Sequence, residues 1–207
     1  MWSKRTAKHN KANAPNVNYN TMKTVKTMMA AALLVAVGLT AQAQTDKAVQ
    51  EDLDAKYATT LVKVGSLAPD FTLKTPEGGT LQLSSMKGKT VVIDFWASWC
   101  PDCRKDAPEL VRLYDEFHPK GIEFVGVSMD TDIKAWQKAI KQYGIRYPQA
   151  SELKKFKETD IAKDYGVKWI PSLVVVGPDG RVLLSTVLSE KVDLLLQQLT
   201  EENHGKL

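Results

Sequence analysis

One stretch of the chain, residues 91–103, constrains the fold and the chemistry more than any other. It begins with an apolar, β-branched run, which predicts a buried strand, and it ends in Cys100-Pro101-Asp102-Cys103. A helical pattern follows over residues 104–117. A cysteine at a helix amino terminus lies near unpaired N–H groups and the positive end of the dipole, which stabilise a thiolate. Since the chain has only these two cysteines, the stretch predicts a thiol–disulfide redox site.

The main alternative for such a pair is one half of a zinc site. Structural zinc takes four ligands, and the sequence holds no second cysteine pair. The three histidines, His9, His118 and His204, are scattered along the chain. We therefore expect no metal, and no cofactor other than a redox-active disulfide between Cys100 and Cys103.

The formal net charge of +4 comes from the amino-terminal part of the chain. Six of the 28 Lys and Arg residues, and none of the 24 Asp and Glu residues, lie within residues 1–43. The remaining residues carry two more acidic than basic side chains. A nearly neutral body of this kind gives no electrostatic reason to expect nucleic-acid binding.

Residues 1–43 have the form of an amino-terminal extension with an export signal. Residues 22–26 are basic, residues 28–40 form an apolar run, and Ala41-Gln42-Ala43 is a small-x-small cleavage motif. The run is shorter than the ~20 residues that a membrane-spanning helix needs, so we expect cleavage near Ala43 in preference to a membrane anchor. Translation from Met22 instead of Met1 gives a more ordinary signal peptide. We expect a periplasmic or extracytoplasmic protein, in a compartment where disulfides persist.

The rest of the chain predicts strands that alternate with helices. Residues 44–63 form a charged lead-in, residues 64–200 one domain, and residues 201–207 a polar tail. The domain opens with a β-hairpin over residues 70–83. The later elements, in order, are a strand at 90–95, a helix at 104–117 that Pro108 should kink, a strand at 122–129, a helix at 133–143, an extended segment at 145–151, a short helix at 159–165, strands at 172–176 and 181–188, and a last helix from 189. This order predicts an α/β fold, a central mixed sheet with helices on both faces.

The residues at the first strand–helix junction, Phe-Trp-Ala-Ser-Trp-Cys-Pro-Asp-Cys at 95–103, resemble the active-site motif of thioredoxin. The resemblance covers residues 65–199. Three features narrow it to the exported TlpA/ResA-like thiol–disulfide oxidoreductases: the signal peptide, the hairpin that opens with Ala-Pro-Asp-Phe-Thr-Leu at 68–73, and extra helical sequence between residues 130 and 165. The resemblance implies a thioredoxin-like fold with an amino-terminal β-hairpin and an inserted helical segment. It also implies protein-disulfide oxidoreductase activity.

The two cysteines have different predicted roles. Cys100, expected at the exposed start of the helix, is the nucleophile that forms a mixed disulfide with a partner, and Cys103, one turn further on, is the resolving thiol. Pro101 restrains the loop between them and is expected, with Trp99, Ile170 and Pro171, to contact the bound substrate. The Asp102 carboxylate opposes thiolate formation and offsets part of the helix effect. We therefore predict a reducing rather than a strongly oxidising couple.

Pro171 opens a predicted strand, where its missing N–H is tolerable. A trans bond is the ordinary expectation, since only about 5–6% of X–Pro bonds in folded proteins are cis. The resemblance instead implies a cis proline packed over the disulfide. The backbone of Ile170 would then be free to pair with a substrate strand. Trp99 is expected to shield the disulfide and to offer an apolar docking surface.

Two carboxylates are candidates for a part in the thiol chemistry, one as a proton acceptor and one as a group that tunes thiol reactivity. Asp94 lies in the apolar strand, where burial should raise its pKa. The resemblance implies a carboxylate beneath Cys103 that accepts its proton; the alternative is a hydrogen-bonded structural Asp. Asp106, three residues after Cys103, matches an acidic position that tunes thiol reactivity in ResA-like proteins. Its alternative is a solvated acid favoured by the helix dipole.

The expected function is reduction of disulfides in other exported proteins, with apocytochrome c as the first substrate to test. The expected partners are those proteins and a membrane thiol-reductase that donates electrons, with no nucleic acid, and the protein itself is expected as a monomer or weak dimer. One alternative is a peroxiredoxin-like thiol peroxidase, because residues 68–73 also resemble the entry to peroxiredoxins. Those enzymes have Thr two or three residues before the peroxidatic cysteine, where this chain has Ala97 and Ser98. A second alternative, a non-catalytic thioredoxin scaffold, is disfavoured by the intact cysteine pair.

Overall fold

The computed structural model of the protein describes residues 53–204, with side chains described through residue 201. The predicted export signal and the first part of the lead-in therefore lie outside the described residues. Within residues 53–204, no helix has both the length and the apolar character that crossing a membrane requires.

A mixed β-sheet forms the centre of the domain. Its strands are β1 Thr72–Lys74, β2 Thr80–Gln82, β3 Val91–Trp96, β4 Glu123–Ser128, β5 Gln149–Ser151, β6 Ser172–Val176 and β7 Val182–Thr186. The seven strands lie in the order β2-β1-β5-β4-β3-β6-β7. The central strand β3 pairs in parallel with β4 and antiparallel with β6, which confirms the predicted α/β class with a mixed sheet.

The helices that follow the first hairpin are α1 Pro101–Phe117, α2 Ile133–Gln142, α3 Asp160–Asp164 and α4 Ser189–His204. Helix α1 begins earlier than its apolar pattern indicates, because Cys100 caps it and Pro101 occupies its first turn, where a missing N–H costs nothing. It continues through Pro108 as one helix. Helix α4 extends through residue 204, so part of the predicted polar tail is helical. Helices α1 and α4 contact one another.

Strand β3 is buried along its whole length, as expected for a central strand that carries Val and Ile next to other strands on both sides. Asp94 is in register with Gly126 of β4. A side chain at Gly126 would collide with Gln149, whose Oε1 accepts a hydrogen bond of 2.9 Å from Trp96 Nε1. This glycine therefore makes room for the polar contact that fixes the end of β3.

The end of the lead-in packs on the domain beside the loop that precedes β6. Residues 53–57 are helical, and the ring of Tyr57 stacks on that of Trp169 with 4.4 Å between centroids. Leu61 is buried in the core. The Thr60 hydroxyl donates to the carbonyl of Gly166 over 2.7 Å. These contacts join the last residues of the lead-in to the same folded unit as the sheet.

Candidate active site

The two cysteines form a disulfide at the amino terminus of α1, with 5.3 Å between their Cα atoms. Cys100 is the cap residue, and its Sγ accepts a hydrogen bond of 3.1 Å from the backbone N–H of Cys103. The first-turn N–H groups of a helix favour negative charge. The geometry therefore places Cys100 where the sequence predicts a stabilised thiolate.

The expectation that Cys100 is exposed is wrong. Its side chain lies under its neighbours, and only 3% of the residue is exposed, as for Cys103. Its neighbour Trp99 is 53% exposed. A short side chain at a helix cap stays within the backbone around it, while the long indole next to it extends into solvent. Access to the disulfide is therefore through a cleft, and not from an open surface.

The peptide bond between Ile170 and Pro171 is cis, as predicted. The Ile170 carbonyl oxygen lies 3.6 Å from Cys100 Sγ, so this loop faces the disulfide. Among residues 53–204, the Ile170 N–H donates to no backbone carbonyl. Both residues are buried. The edge of this loop thus carries an unused backbone donor beside the nucleophile.

A cleft of about 300 Å³ opens onto the disulfide. It is lined by Trp99, Cys100, Pro101, Asp102, Phe156, Lys168, Trp169 and Ile170. Three of the four residues predicted to bind substrate, Trp99, Pro101 and Ile170, line this cleft. The fourth, Pro171, is buried and does not line it.

Asp94 is buried in β3, and its Oδ2 accepts a hydrogen bond of 2.9 Å from the hydroxyl of Tyr147. Its Oδ1 is buried and has no partner among the described residues. Desolvation raises the pKa of Asp94 to about 8, the nearby charge of Asp106 also raises it, and the Tyr147 hydrogen bond opposes both. The direction agrees with the sequence prediction. Burial and the neighbouring Asp94 raise the pKa of Tyr147 well above its ordinary value, so Tyr147 remains a donor.

Asp106 lies one turn after Cys103 on α1 and is half-buried. Its Oδ1 accepts a hydrogen bond of 2.5 Å from the hydroxyl of Ser189, at the start of α4. Its Oδ2 is buried without a partner among the described residues. Desolvation raises the pKa of Asp106, and the Ser189 hydrogen bond opposes that rise. Asp106 is therefore not a fully solvated first-turn acid.

The turn before Cys100 is fixed by a buried carboxylate, Asp130. The backbone N–H and the hydroxyl of Ser98 both donate to it, over 2.9 Å and 2.6 Å. The hydroxyl of Ser128 donates to it over 2.7 Å. Three donors meet the hydrogen-bonding needs of this buried side chain. The network therefore holds the loop that carries the nucleophile.

Sequence reasoning missed several residues of this region, above all Tyr147 and Ser189, and also Phe156, Lys168 and Trp169 of the cleft. Tyr147 and Ser189 each lie far along the chain from the carboxylate they contact. One signal was available for Tyr147: a buried carboxylate needs a donor, and a tyrosine at the entry to a buried strand can supply one. Among the side chains that the structure describes, in residues 53–201, no three or more His, Cys, Asp or Glu lie together in a group that could hold a metal ion.

Comparison with known proteins assigns the chain to a family. The model of the AhpC/TSA family matches residues 64–185, more than half of the chain. The chain belongs to the AhpC/TSA family. Among similar proteins, thiol-disulfide oxidoreductase ResA of Bacillus thuringiensis subsp. konkukian is 33% identical over 122 residues, 59% of this chain and 68% of the relative. ResA of Bacillus cereus strain ZK / E33L is 30% identical over 142 residues, 67% and 80% of the two chains.

Solved structures of similar proteins are also thiol-disulfide oxidoreductases. The thioredoxin domain of a thiol-disulfide oxidoreductase from Bacteroides vulgatus superposes with a TM-score of 0.59 at 31% identity, over 65% of this chain and 99% of that one. A thiol-disulfide oxidoreductase from Bacteroides fragilis superposes with a TM-score of 0.61 at 28% identity, over the same shares. The predicted resemblance, the thioredoxin-like fold and the assignment as a protein-disulfide oxidoreductase are confirmed. None of these named relatives favours the peroxiredoxin alternative.

Proposed function

We propose that this AhpC/TSA protein is an exported reductase of disulfides in other extracytoplasmic proteins, acting through Cys100 and Cys103. One observation carries the proposal: the disulfide caps a helix, lies beside the Ile170 carbonyl of a cis peptide bond, and is reached through a cleft lined in part by three aromatic side chains. A purely structural disulfide has no need of a binding cleft. Relatives that carry the name thiol-disulfide oxidoreductase support the same chemistry.

The reaction begins with the reduced protein. The Cys100 thiolate, favoured by the N–H groups at the start of α1, attacks one sulfur of the substrate disulfide. A bond forms between Cys100 Sγ and that sulfur, the substrate S–S bond breaks, and the other substrate sulfur leaves as a thiolate and takes a proton from water. The product of this step is a mixed disulfide in the cleft. The unused N–H of Ile170 can pair with the substrate backbone at this stage.

The second step releases the substrate. Cys103 loses its proton to the carboxylate of Asp94, and the resulting thiolate attacks Cys100 Sγ. The internal disulfide forms, the mixed disulfide breaks, and the second substrate sulfur leaves as a thiolate that takes a proton from water, while Asp94 releases the proton of Cys103 to water. Two electrons have passed from the protein to its substrate. Support for Asp94 comes from its burial, its unpartnered Oδ1 and its electrostatic coupling to Asp106, which lies on the turn after Cys103.

The direction of electron flow and the partners are part of the proposal. Asp102, exposed next to both cysteines, opposes a very stable Cys100 thiolate, which favours a reducing couple. A membrane thiol-reductase would return the disulfide to the dithiol after each turnover. Apocytochrome c, whose haem-attachment cysteines must be reduced, is the substrate class to test first. We further propose export after cleavage near Ala43, on the basis of residues 22–43, and mass spectrometry of the secreted protein's amino terminus tests it.

The reaction itself is tested by insulin reduction. Reduced wild-type protein should reduce insulin, and Cys100→Ala should abolish the activity. The Cys103→Ser variant should accumulate mixed disulfides through Cys100, and identification of the trapped proteins names the substrates. Rapid consumption of hydrogen peroxide without insulin reduction would favour the peroxidase alternative. A reduction potential near the value of about −120 mV typical of a strong oxidant would overturn the reducing direction.

A further inference from the structure

We infer that the active-site cleft continues into a second groove, and that this groove selects polypeptide substrates with acidic side chains beside the target disulfide. The inference rests on the proposed function and specifies its substrate class. Three observations support it: the two cavities share lining residues, the second groove has an apolar floor, and two lysines on its rim form no ion pair among the described residues.

The second groove has a volume of about 400 Å³ and lies next to the active-site cleft. Phe156 and Lys168 line both cavities, so the two form one continuous surface. The floor of the second groove is apolar, with Ala162 and Val167 beside Phe156. A polypeptide whose cysteine reaches Cys100 can therefore lay its neighbouring residues along this floor.

The rim of the second groove carries Lys157, Lys163 and Lys168. Lys163 is paired with Asp160 over 3.0 Å. Within the described part of the chain, neither Lys157 nor Lys168 forms an ion pair, and both are exposed. Two positive charges on this rim are thus left without a partner.

The active-site cleft does not cancel these charges. Its one carboxylate is that of Asp102, which is paired with Lys105 over 3.2 Å. The unpaired charge along the continuous surface is therefore positive, contributed by Lys157 and Lys168. Complementary charge at the rim of an interface steers association and selects partners, and it is sensitive to salt. The matching occupant is an extended segment with an apolar residue for the floor and acidic residues for the rim.

The experiment uses three peptides with the same disulfide and the same apolar neighbour, flanked by Glu, Gln or Lys. Reduced protein is mixed with each, and the second-order rate constant for reduction is measured at about 0.01 M and about 1 M salt, where the screening length is about 30 Å and 3 Å. We expect the Glu peptide to react about fivefold faster than the Gln peptide at low salt, and the Lys peptide more slowly. The differences should disappear at high salt.

Charge-reversal variants test whether the preference for acidic peptides depends on Lys157 and Lys168. The double variant Lys157→Glu and Lys168→Glu should prefer the Lys peptide, and the milder pair Lys157→Gln and Lys168→Gln should lose the preference while leaving the fold undisturbed. Lys138→Glu is the matched control, because this exposed lysine of α2 lines neither cavity, and it should keep the preference for Glu. A preference that survives in both double variants overturns the inference.

The outcomes separate the inference from the function on which it rests. Equal rates for the three peptides at low salt contradict the acidic selectivity and leave disulfide reduction intact. Failure to reduce any peptide, the neutral Gln peptide included, contradicts the proposed function itself.

Discussion

The hydroxyl of Tyr147 donates a hydrogen bond of 2.9 Å to Asp94, and both side chains are buried. The tyrosine ring packs against Tyr114 and Phe124, with centroids 5.7 Å and 6.0 Å away. Because this packing fixes the ring, the Tyr147 hydroxyl is a well-positioned donor, and its hydrogen bond favours the charged form of the Asp94 carboxylate. The pKa of Asp94 is thus raised by burial and by the charge of Asp106, and it is lowered by this one hydrogen bond.

Tyr147→Phe should raise the pKa of Asp94 above about 8, because it removes the hydrogen bond that lowers it. Asp94 must be ionised to accept the Cys103 proton, so the rate of the resolving step against pH should shift to higher pH. A rise of one pKa unit lowers that rate at pH 7 about tenfold. Stopped-flow measurement of mixed-disulfide release across pH checks this. The control is Tyr143→Phe, whose hydroxyl contacts Gln142 and not Asp94, and an unshifted profile for Tyr147→Phe would contradict the assignment.

Asp106→Asn should move the same profile in the opposite direction. The charge of Asp106 raises the pKa of Asp94, so its removal should lower that pKa and increase the resolving rate at neutral pH. Glu116→Gln serves as the control and should leave the profile in place, because this exposed carboxylate further along α1 is paired with Arg112 and Lys120. If Asp106→Asn and Tyr147→Phe shift the profile the same way, the electrostatic account of Asp94 is wrong.

Asp94→Asn should change how stability depends on pH. The native pKa of about 8 lies above the ordinary 3.8, so the folded wild type binds a proton that the unfolded chain lacks between those values. The stabilisation is complete below about pH 4 and is lost as pH rises through about 8. Asn cannot ionise, so the variant does not lose stability in this way as pH rises. The free energy of unfolding of the variant minus that of wild type should therefore increase with pH, by at most on the order of 5 kcal/mol. Urea unfolding of both oxidised proteins at pH 5 and pH 9 measures it, and parallel pH dependences would refute it.

Gly126→Ala should destabilise the protein by about 3 kcal/mol, because the added methyl group meets the buried Gln149 side chain. The free energy of unfolding in urea provides the measurement. Adding Gln149→Ala to the variant should recover part of the loss, since it removes the atoms that collide, although it also gives up the hydrogen bond to Trp96. A fully stable Gly126→Ala protein would show that the sheet relaxes easily at this position.

Local patterns in the sequence were enough to predict the buried strand β3, the amino-terminal hairpin and the helix after the cysteines. These elements depend on apolar periodicity and on turn residues that lie within one short window. The cis bond at Pro171 was also predicted, but only from the resemblance, because nothing in the local sequence distinguishes it from a trans bond.

Local sequence patterns could not predict the hydrogen bonds that shift the pKa values of Asp94 and Asp106. Ser189 reaches Asp106, and Tyr147 reaches Asp94, only once the sheet order and the packing of α4 on α1 are known. The burial of Cys100 was missed for a related reason. Cys100 is covered by the loop around Ile170, which lies 70 residues away along the chain.

The stacking of Tyr57 on Trp169 has a practical consequence for any shortened version of the protein. The family match starts at residue 64, which makes that residue an obvious place to begin a recombinant domain. A protein cut there would lose Tyr57, the buried Leu61 and the hydrogen bond from Thr60 to Gly166, and one aromatic wall of the cleft would lose its support. The unit that must be kept together for work on this enzyme therefore begins at least seven residues before the start of the family match, at or before Tyr57.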